Sequence, residues 1–438
     1  MFARKPRTRQ VGPDGSVLHL KVRNGQEFRD QGGPAPEPIV ASSVATVGLM
    51  GVDYPDLSFA PAVSKGDVVS QGQVVCSDRR TPQITLTAPV AGRIALVSLG
   101  ARRRLDALVI EPEGTAAVSF DVGAALRDGD ALRALLHASG DWVAFRTRPF
   151  GRVPQSFSKP HAIFVTATDT RAHAADPIAI LEPLTDAFDC GVGALTGLTD
   201  GKVFVCQPEG APVAAARDRL VTVQVSGPHP AGLAGTHIHS LFPVSDQRHV
   251  WQIGYQDVVA IGHLLMTGQT MGTRVLSLAG DSITAPQWIR APLGASLMDL
   301  TQGQLTEPEA ILLSGSLLDG RALPYVGRRD LQVTAGIHKR PSKQQRSILW
   351  RMLDQLPDTR NGVMMPTEAL ERVFPFALLP APLMRALATG DVEGAQRLGC
   401  LELLDEDVAL LSAACPSGTD YGALLRRVHD AMVQERGL

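Results

Sequence analysis

Two arginines flanked by aromatic residues are the most suggestive chemical feature of this sequence. The segment AFRTRPF (144–150) places Arg146 and Arg148 two positions apart, between Phe145 and Phe150. Residues two apart on a β-strand point to the same face, so both guanidinium groups would lie on one side. They could donate to a carbonyl-bearing apolar ligand, or pair with acidic residues of a neighbouring subunit. Either use makes the segment an interface, because buried arginines without partners are costly.

A second candidate is LMGVDYP (49–55), in which Asp53 and Tyr54 stand among apolar residues. A carboxylate and a phenol in such surroundings could hydrogen-bond a ligand. Ordinary packing in a core is the alternative explanation, because the same residue types line pockets and fill interiors.

Three histidines, His229, His237 and His239, lie in GPHPAGLAGTHIH (227–239). A His-x-His pair on one strand face could hold a metal ion with His229 as a third ligand. No carboxylate follows until Asp246, and metal ligands normally come with partnered neighbours. We favour a Pro/Gly-shaped loop at the carboxyl edge of a sheet, with histidines bonded to the backbone. We therefore assign no metal ligand and no catalytic residue.

Composition excludes several classes of protein. Five cysteines without a C-x-x-C motif exclude a zinc or iron–sulfur site built from one local motif, and predict reduced, mostly buried thiols. Lys+Arg number 42 against 44 Asp+Glu, which lacks the basic footprint of a nucleic-acid-binding protein. No apolar run reaches the ~18–20 residues that a membrane span needs, and MFARKPRTRQ precedes no secretory h-region. We expect a cytoplasmic chain that only a partner could hold at a membrane.

The elements that would position these residues begin with a β-rich region. Residues 1–115 are interpreted as a barrel-sandwich domain with an N-terminal extension, because VSKGDVVSQGQ resembles the hammerhead of biotinyl and lipoyl domains. The hairpin 78–83, where those domains carry a modified lysine, has none, so no swinging arm is expected. Residues 116–160 are predicted to form a helical connection.

Residues 161–270 are predicted to form a Rossmann-like parallel α/β domain. Strands at 162–168, 202–206 and 221–227 alternate with helices at 184–198 and 212–220. Ligands in such sheets lie beyond the carboxyl ends of the strands, where Asp169 and His229 stand. The glycines at 191, 193 and 197 mimic a dinucleotide fingerprint. They fall inside a helical pattern, which instead indicates close helix packing.

The remaining residues divide into two regions. Residues 271–327 contain two strands and a short helix, and resemble the soluble-ligand-binding β-grasp module found beside flavin domains in respiratory dehydrogenases. Residues 328–438 are predicted to form a C-terminal helical domain after a basic linker, HKRPSKQQR (338–346). The fold class is thus multidomain α/β plus β.

This domain order and many local matches identify the chain as a member of the alpha-subunit (A-subunit) family of sodium-translocating NADH:quinone reductases. It resembles, more distantly, the cluster-bearing subunit of the ion-pumping ferredoxin complex and the flavin subunit of respiratory complex I. Departures from the family pattern are the longer start around residues 25–28 and a shortened 325–365 region. The matching segments include IFVTATDTRAHAADP (163–177), SGPHPAGLAGTHIH (226–239), VWQIGYQDVVAIG (250–262) and GDVEGAQRLGCLELLDEDVALL (390–411).

The resemblance implies a peripheral subunit on the cytoplasmic face of the bacterial inner membrane. The complex would couple NADH oxidation and ubiquinone reduction to Na⁺ export, with FAD, FMN, riboflavin and iron–sulfur in partner subunits and no cofactor here. This chain would act as a scaffold, chiefly against the B subunit, the membrane protein that carries the quinone site. The alternative is a flavin- or nucleotide-binding subunit that itself transfers electrons, as in the ferredoxin-linked complex or complex I.

Site residues follow from the same resemblance. We expect one set to lie near quinone or at a subunit interface, and a second to form a vestigial ligand pocket. Replacing Arg146 and Arg148 by Ala should then leave the isolated fold intact and weaken assembly or quinone reduction. The first set is Asp53, Tyr54, Phe145, Arg146, Arg148 and Phe150, and the second is Asp169, His229, His237 and His239.

Overall fold

Four β-sheets organise the chain in the computed structural model, which describes residues 7–11, 17–28, 33–336 and 367–436. The strands are β1 (Arg7–Val11), β2 (Val17–Lys21), β3 (Ala35–Ala41), β4 (Val47–Met50), β5 (Phe59–Pro61), β6 (Val68–Val69), β7 (Val74–Asp78), β8 (Thr85–Thr87), β9 (Gly92–Leu99), β10 (Leu105–Pro112), β11 (Arg146–Arg148), β12 (Ala162–Thr166), β13 (Lys202–Pro208), β14 (Leu220–Ser226), β15 (Val250–Gly254), β16 (Thr273–Ala279), β17 (Gln287–Pro292), β18 (Ile311–Ser314) and β19 (Gln332–Gly336). The α-helices are α1 (Gly129–Ser139), α2 (Pro177–Leu181), α3 (Thr185–Leu195), α4 (Ala234–Leu241), α5 (Tyr255–Thr267), α6 (Leu297–Leu300), α7 (Glu368–Val373), α8 (Pro380–Thr389), α9 (Val392–Arg397), α10 (Ala409–Ala414) and α11 (Tyr421–Arg436).

The largest sheet has the order β1-β2-β14-β13-β12-β15-β11, and we call it the α/β sheet. Strands β2, β14, β13, β12 and β15 run parallel, whereas β1 and β11 lie antiparallel at the two edges. The predicted strands at 162–168, 202–206 and 221–227 are confirmed as β12, β13 and β14, with α3 between the first two. Helices α3 and α5 pack on one face of the sheet, and α4 packs on the other.

The predicted helix at 212–220 is wrong, because side chains bond the backbone there in place of helical hydrogen bonds. The Gln207 amide donates to the carbonyl oxygen of Ala211 at 2.8 Å, and its oxygen accepts from the Val213 amide at 3.0 Å. The carboxylate of Asp189 accepts from the Ala215 amide at 2.8 Å. These contacts provide hydrogen-bond partners for backbone groups of the segment, which forms an irregular loop.

The N-terminal strands belong to sheets other than the expected barrel sandwich. Strand β2 pairs with β14, and β3 pairs with β17, so residues 17–41 cross two further sheets before the barrel sandwich begins. The barrel sandwich itself consists of two sheets, β4-β10-β9-β6 and β5-β7-β8. Its hairpin at 78–83 is held by Asp78, which accepts from the amides of Arg80 and Thr81.

The β-grasp sheet has the order β18-β19-β16-β17-β3. Helix α6 follows β17 along the chain. The two predicted strands are confirmed as β16 and β17, and the short helix as α6. Strand β19 was assigned to the C-terminal helical region, but it pairs with β16 and β18 and completes this sheet. The predicted basic linker (338–346) lies outside the described residues.

Helices α7 to α11 enclose a separate apolar core, as the sequence pattern predicts. Leu383, Leu387, Val408 and Leu411 are buried in it, and α11 contributes Leu425. Among the helices that the structure describes, none combines the length and apolar character needed to cross a bilayer.

Glycines let α3 and α5 approach each other closely. The sequence pattern predicts such close packing for the helix at 184–198. A Cβ atom added at Gly191 would overlap the carbonyl oxygen of Val258, and one added at Gly262 would overlap that of Ala187. Both obstacles are backbone atoms of the opposite helix, so they cannot move aside alone.

Replacing Gly262 by Ala should therefore lower the free energy of unfolding by about 1–3 kcal/mol, the usual cost of overpacking. The matched control is Gly193→Ala on α3, where the new Cβ would meet the Arg217 guanidinium at an ordinary 3.6 Å. That control should be neutral or gain up to ~1 kcal/mol from helix propensity. Urea unfolding of the two variants measures the difference, and equal midpoints would contradict the tight helix contact.

Candidate functional site

A cavity lies where the order of strands in the α/β sheet reverses. Chain order runs outward from β12 to β13 and β14, and then returns to β15 on the other side of β12. Crevices at such reversals, beyond the carboxyl ends of the strands, are the usual ligand sites of parallel sheets. Here the cavity measures about 560 Å³, within the size range of small-molecule sites. Thr168 and Asp169 after β12, and Gly254 and Tyr255 at the end of β15, line it.

Other parts of the chain complete the walls. The barrel-sandwich region contributes Asp53, the β-grasp region contributes Arg328, and the C-terminal helices contribute Glu406. Four structural regions thus meet at one cavity. Its chemistry depends on how their charged side chains are paired.

Arg146 and Arg148 lie on β11, the edge strand next to β15. Both reach Glu406, at 3.3 Å from Arg146 and 3.2 Å from Arg148, as their spacing on a strand predicts. Arg148 is 0% exposed, and it also pairs with Asp407 and donates to the side chain of Gln252 at 2.8 Å. Burial would raise the pKa of Glu406, but the two arginines outweigh it and hold that pKa below its usual range.

These contacts correct the interpretation that the arginines pair with a neighbouring subunit. Their acidic partners stand in residues 405–407 of the same chain, on a 3-10 helix that precedes α10. The interface is internal, between the α/β sheet and the C-terminal helices. Arg146 lines the cavity, whereas Arg148 lies beneath it.

Phe145 and Tyr54 are core residues, so for them the packing alternative is the correct one. The Phe145 ring lies 5.6 Å from the Trp142 ring and 5.4 Å from the Trp251 ring, measured between centroids. Tyr54 is 2% exposed and meets Phe59 edge to face at 5.3 Å. Burial raises the pKa of the Tyr54 phenol, which favours its neutral form.

Asp53 and Phe150 do reach the cavity. Asp53 accepts from the Arg321 guanidinium at 2.7 Å and from the backbone amide of Arg328 at 2.9 Å, so it ties the barrel sandwich to the β-grasp region. Phe150 has a φ of 76°, a conformation rare outside glycine, and its ring meets that of His429 at 5.5 Å.

The three histidines do not form one group. His237 and His239 lie in helix α4, so both the strand-face and the loop interpretations are wrong for them. His237 bonds the carbonyl oxygen of Ala231 at 2.7 Å, which agrees with the expected backbone bonding. His239 instead pairs with Glu402 at 2.7 Å. The described residues contain no group of three or more His, Cys, Asp or Glu side chains placed to hold a metal ion.

The vestigial pocket assigned to Asp169 and the histidines is not assembled as expected. His229 bonds the hydroxyl of Thr170 at 3.2 Å, and burial lowers the pKa of its ring to about 3. Asp169 lines the cavity and pairs with Arg171 at 3.0 Å. Of the four residues in that set, Asp169 is the one that borders the cavity.

Sequence reasoning missed a second buried charge cluster of the site. Asp257, in the first turn of α5, accepts from Arg274 at 2.6 Å and from Arg328 at 2.7 Å, through the same oxygen atom. Burial opposes ionisation of Asp257, but these arginines lower the pKa of its carboxyl group. The usable signal was the strand end VWQIG (250–254) followed directly by YQD, which opens a helix at the carboxyl edge of the sheet.

Comparison with known proteins gives matches along most of the chain. Family models match residues 20–113 as the NqrA N-terminal barrel-sandwich hybrid domain, 127–270 as the NqrA second alpha/beta domain, and 275–324 as the NQRA C-terminal domain of the SLBB type. The A subunit of the Na(+)-translocating NADH-quinone reductase of Klebsiella pneumoniae is 40% identical over 449 residues, covering 95% of this chain and 100% of the relative. Its counterpart in Saccharophagus degradans is 40% identical over 436 residues, covering 93% and 98%. That of Marinomonas sp. is 39% identical over 435 residues, covering 93% and 97%.

Proposed function

Because this chain belongs to the A-subunit family of the Na⁺-translocating NADH-quinone reductases, we propose that it is the corresponding subunit of such a complex. The complex would couple NADH oxidation and ubiquinone reduction to Na⁺ export. One observation carries this proposal: the Klebsiella pneumoniae relative is 40% identical and is matched along 100% of its length. A match of that extent includes every region around the cavity, and not only one widespread fold.

Within the complex, we propose that the chain is a peripheral scaffold on the cytoplasmic face of the membrane. Ion pairs and hydrogen bonds between the regions support this role. Arg148 and Glu406 join the α/β sheet to the C-terminal helices, and Asp53 joins the barrel sandwich to the β-grasp region. Asp257 joins α5 to the β-grasp region. Regions joined in this way are suited to presenting a fixed surface to partner subunits. FAD, FMN, riboflavin and iron–sulfur would lie in those partner subunits.

The partner that we propose for the cavity mouth is the B subunit, the membrane protein that carries the quinone site. Three residues of the expected set border the cavity: Asp53, Arg146 and Phe150. Tyr54, Phe145 and Arg148 are buried and do not line the cavity, so they would act indirectly, by holding the lining residues in position. This division makes Phe150 the side chain to test first, since it carries no ion pair whose loss would disturb the fold.

The proposal is tested in cells that lack this chain and receive a tagged copy. Solubilised membranes should yield the tagged chain together with further subunits, and the purified assembly should reduce quinone with NADH in a Na⁺-stimulated reaction. Phe150→Ala should reduce quinone turnover or assembly, whereas Arg93→Ala, in an exposed pair with Glu113, should leave both unchanged. Recovery of the tagged chain alone, or with an unrelated complex, would contradict the proposal.

The same preparation separates a scaffold from an electron carrier. The purified chain alone should show no flavin absorbance at about 450 nm, because the proposed redox groups lie in other subunits. A yellow chain with one flavin per polypeptide would support the alternative, in which this chain transfers electrons itself.

A further inference from the structure

An arginine that forms no ion pair with any described residue lines the cavity. The Nε of Arg329 is buried and has no hydrogen-bond partner, and its Nη1 reaches only the backbone carbonyl oxygen of Asp53, at 3.4 Å. It forms no ion pair within the part of the chain that the structure describes. Burial, with Arg146 and Arg328 nearby, lowers the pKa of Arg329 to about 10. A guanidinium in such a place is costly unless an anion joins it.

Its neighbour Arg328 shares a carboxylate partner with a second arginine. Arg328 is 7% exposed and shares the single carboxylate of Asp257 with Arg274. Only its Nη1 donates to a described side chain, so two guanidinium groups face one carboxylate. The donors on Nε and Nη2 of Arg328 remain for another acceptor.

Two nearby carboxyl groups are already engaged by hydrogen-bond donors. Asp56 is engaged by the Val153 amide at 2.9 Å, and Asp141 by the Ser139 hydroxyl at 2.8 Å. Burial raises the pKa of both groups. Across the cavity, Asp405 faces Arg146 at 3.5 Å.

The first turn of α5 borders the same cavity. Gly254 precedes this 13-residue helix and offers no side-chain cap. Gly254, Tyr255 and Gln256 all line the cavity. The first amides of a helix have no partner within the helix and carry partial positive charge. The Gln256 side chain is occupied, since it bonds both the amide and the carbonyl group of Val275, so the backbone is what the helix offers.

We propose that this cavity binds a small molecule bearing a phosphate monoester, seated between Arg328, Arg329 and the first turn of α5. A phosphate monoester matches the observed donors better than a single carboxylate. Its negative charge complements Arg329, which has no ion pair among the described residues, and Arg328, which shares Asp257 with Arg274. Its three oxygens can accept from two planar guanidinium groups and helix amides together. The cavity, at about 560 Å³, is larger than one phosphate group needs, so the rest of the molecule would extend toward Phe150 and Leu404. This inference goes beyond the proposed scaffold role and does not depend on it.

Calorimetric titration of the full chain tests the site, with inorganic phosphate and glycerol 3-phosphate as probes and succinate and glycerol as comparisons. Both phosphate probes should bind the wild-type chain, and Arg329→Gln should weaken that binding at least about tenfold. Arg426→Gln is the matched control, because Arg426 lines the same cavity but is 56% exposed and loosely paired with Asp405 at 3.9 Å. That control should bind phosphate like wild type.

Thermal unfolding gives a second measurement. Without phosphate, Arg329→Gln should unfold at the same or a higher temperature than wild type, because it removes an unpaired charge. Phosphate should then raise the unfolding temperature of wild type and of Arg329→Lys, but not that of Arg329→Gln. Binding of succinate as tight as phosphate would overturn the phosphate assignment. Equal affinity in wild type and Arg329→Gln, or no binding of either phosphate probe, would overturn the site.

Discussion

Replacing Arg148 by Ala should lower the free energy of unfolding by about 3–5 kcal/mol, the loss seen when one partner of a buried ion pair is removed. Its side chain is 0% exposed, and it contacts Glu406, Asp407 and the backbone carbonyl oxygen of Glu402. Without the guanidinium, two carboxyl groups of residues 405–407 would stay buried with less positive charge beside them. Urea unfolding, followed by far-ultraviolet circular dichroism, measures the loss.

This expectation replaces the one based on sequence alone, that the isolated fold would survive replacement of Arg146 and Arg148. The control is Arg93→Ala, which breaks the exposed pair with Glu113 and should cost no more than about 1 kcal/mol. If Arg148→Ala were as stable as Arg93→Ala, the buried pair would contribute nothing to joining the C-terminal helices to the α/β sheet. A defect of Arg148→Ala in assembly would also need a stability measurement before it is attributed to a partner contact.

Acidification from pH 7 to pH 5 should destabilise the chain by several kcal/mol. Burial lowers the pKa of His137, His237 and His429 to about 4 and that of His229 to about 3, against ~6.5 in an unfolded chain. Between these values the unfolded chain binds more protons, so stability present above pH 6.5 is lost as the pH falls toward 4. Each histidine contributes about 1–2 kcal/mol to this loss. Asp407 offsets part of it, because burial raises its pKa to about 6 and its protonation favours the folded state.

One substitution measures how much a single histidine contributes to this loss of stability. The His137 ring lies 4.3 Å from the Trp142 ring, and neither ring nitrogen has a hydrogen-bond partner among the described residues. His137→Phe keeps an aromatic ring there and removes the titrating group, and Arg133 on the same helix is unchanged. The stability lost between pH 7 and pH 5 should shrink by about 1–2 kcal/mol. An unchanged pH dependence, measured by urea unfolding at both pH values, would mean that His137 does not titrate as proposed.

The sequence predicted elements whose pattern is local. Strands β12 and β13 and helix α3 were recognisable because each contains an uninterrupted apolar run or stripe. Strands β2, β3 and β19 were misplaced because each pairs with a strand from another part of the chain. The loop at 212–220 was mistaken for a helix because a single side chain, Gln207, replaces the helical hydrogen bonds.

The candidate site was predicted in part for the same reason. Strand spacing correctly indicated that Arg146 and Arg148 share a face, but it gave no information on Glu406, some 260 positions away along the chain. Arg329 has no periodic signal at all. Its place in the proposed site rests on the absence of an ion pair with any described residue. A sequence pattern does not record which side chains lie close to an arginine in the fold.

The interleaving of residues 17–41 with later strands has a consequence for synthesis on the ribosome. Strand β2 finds its partner only when β14 (Leu220–Ser226) has emerged, and β3 only when β17 (Gln287–Pro292) has emerged. The ribosome therefore releases most of the barrel sandwich while β2 and β3 still lack these partner strands. Unpaired strand edges are prone to pair with other chains. Chaperone binding to the nascent polypeptide would protect this segment until the middle of the protein is made.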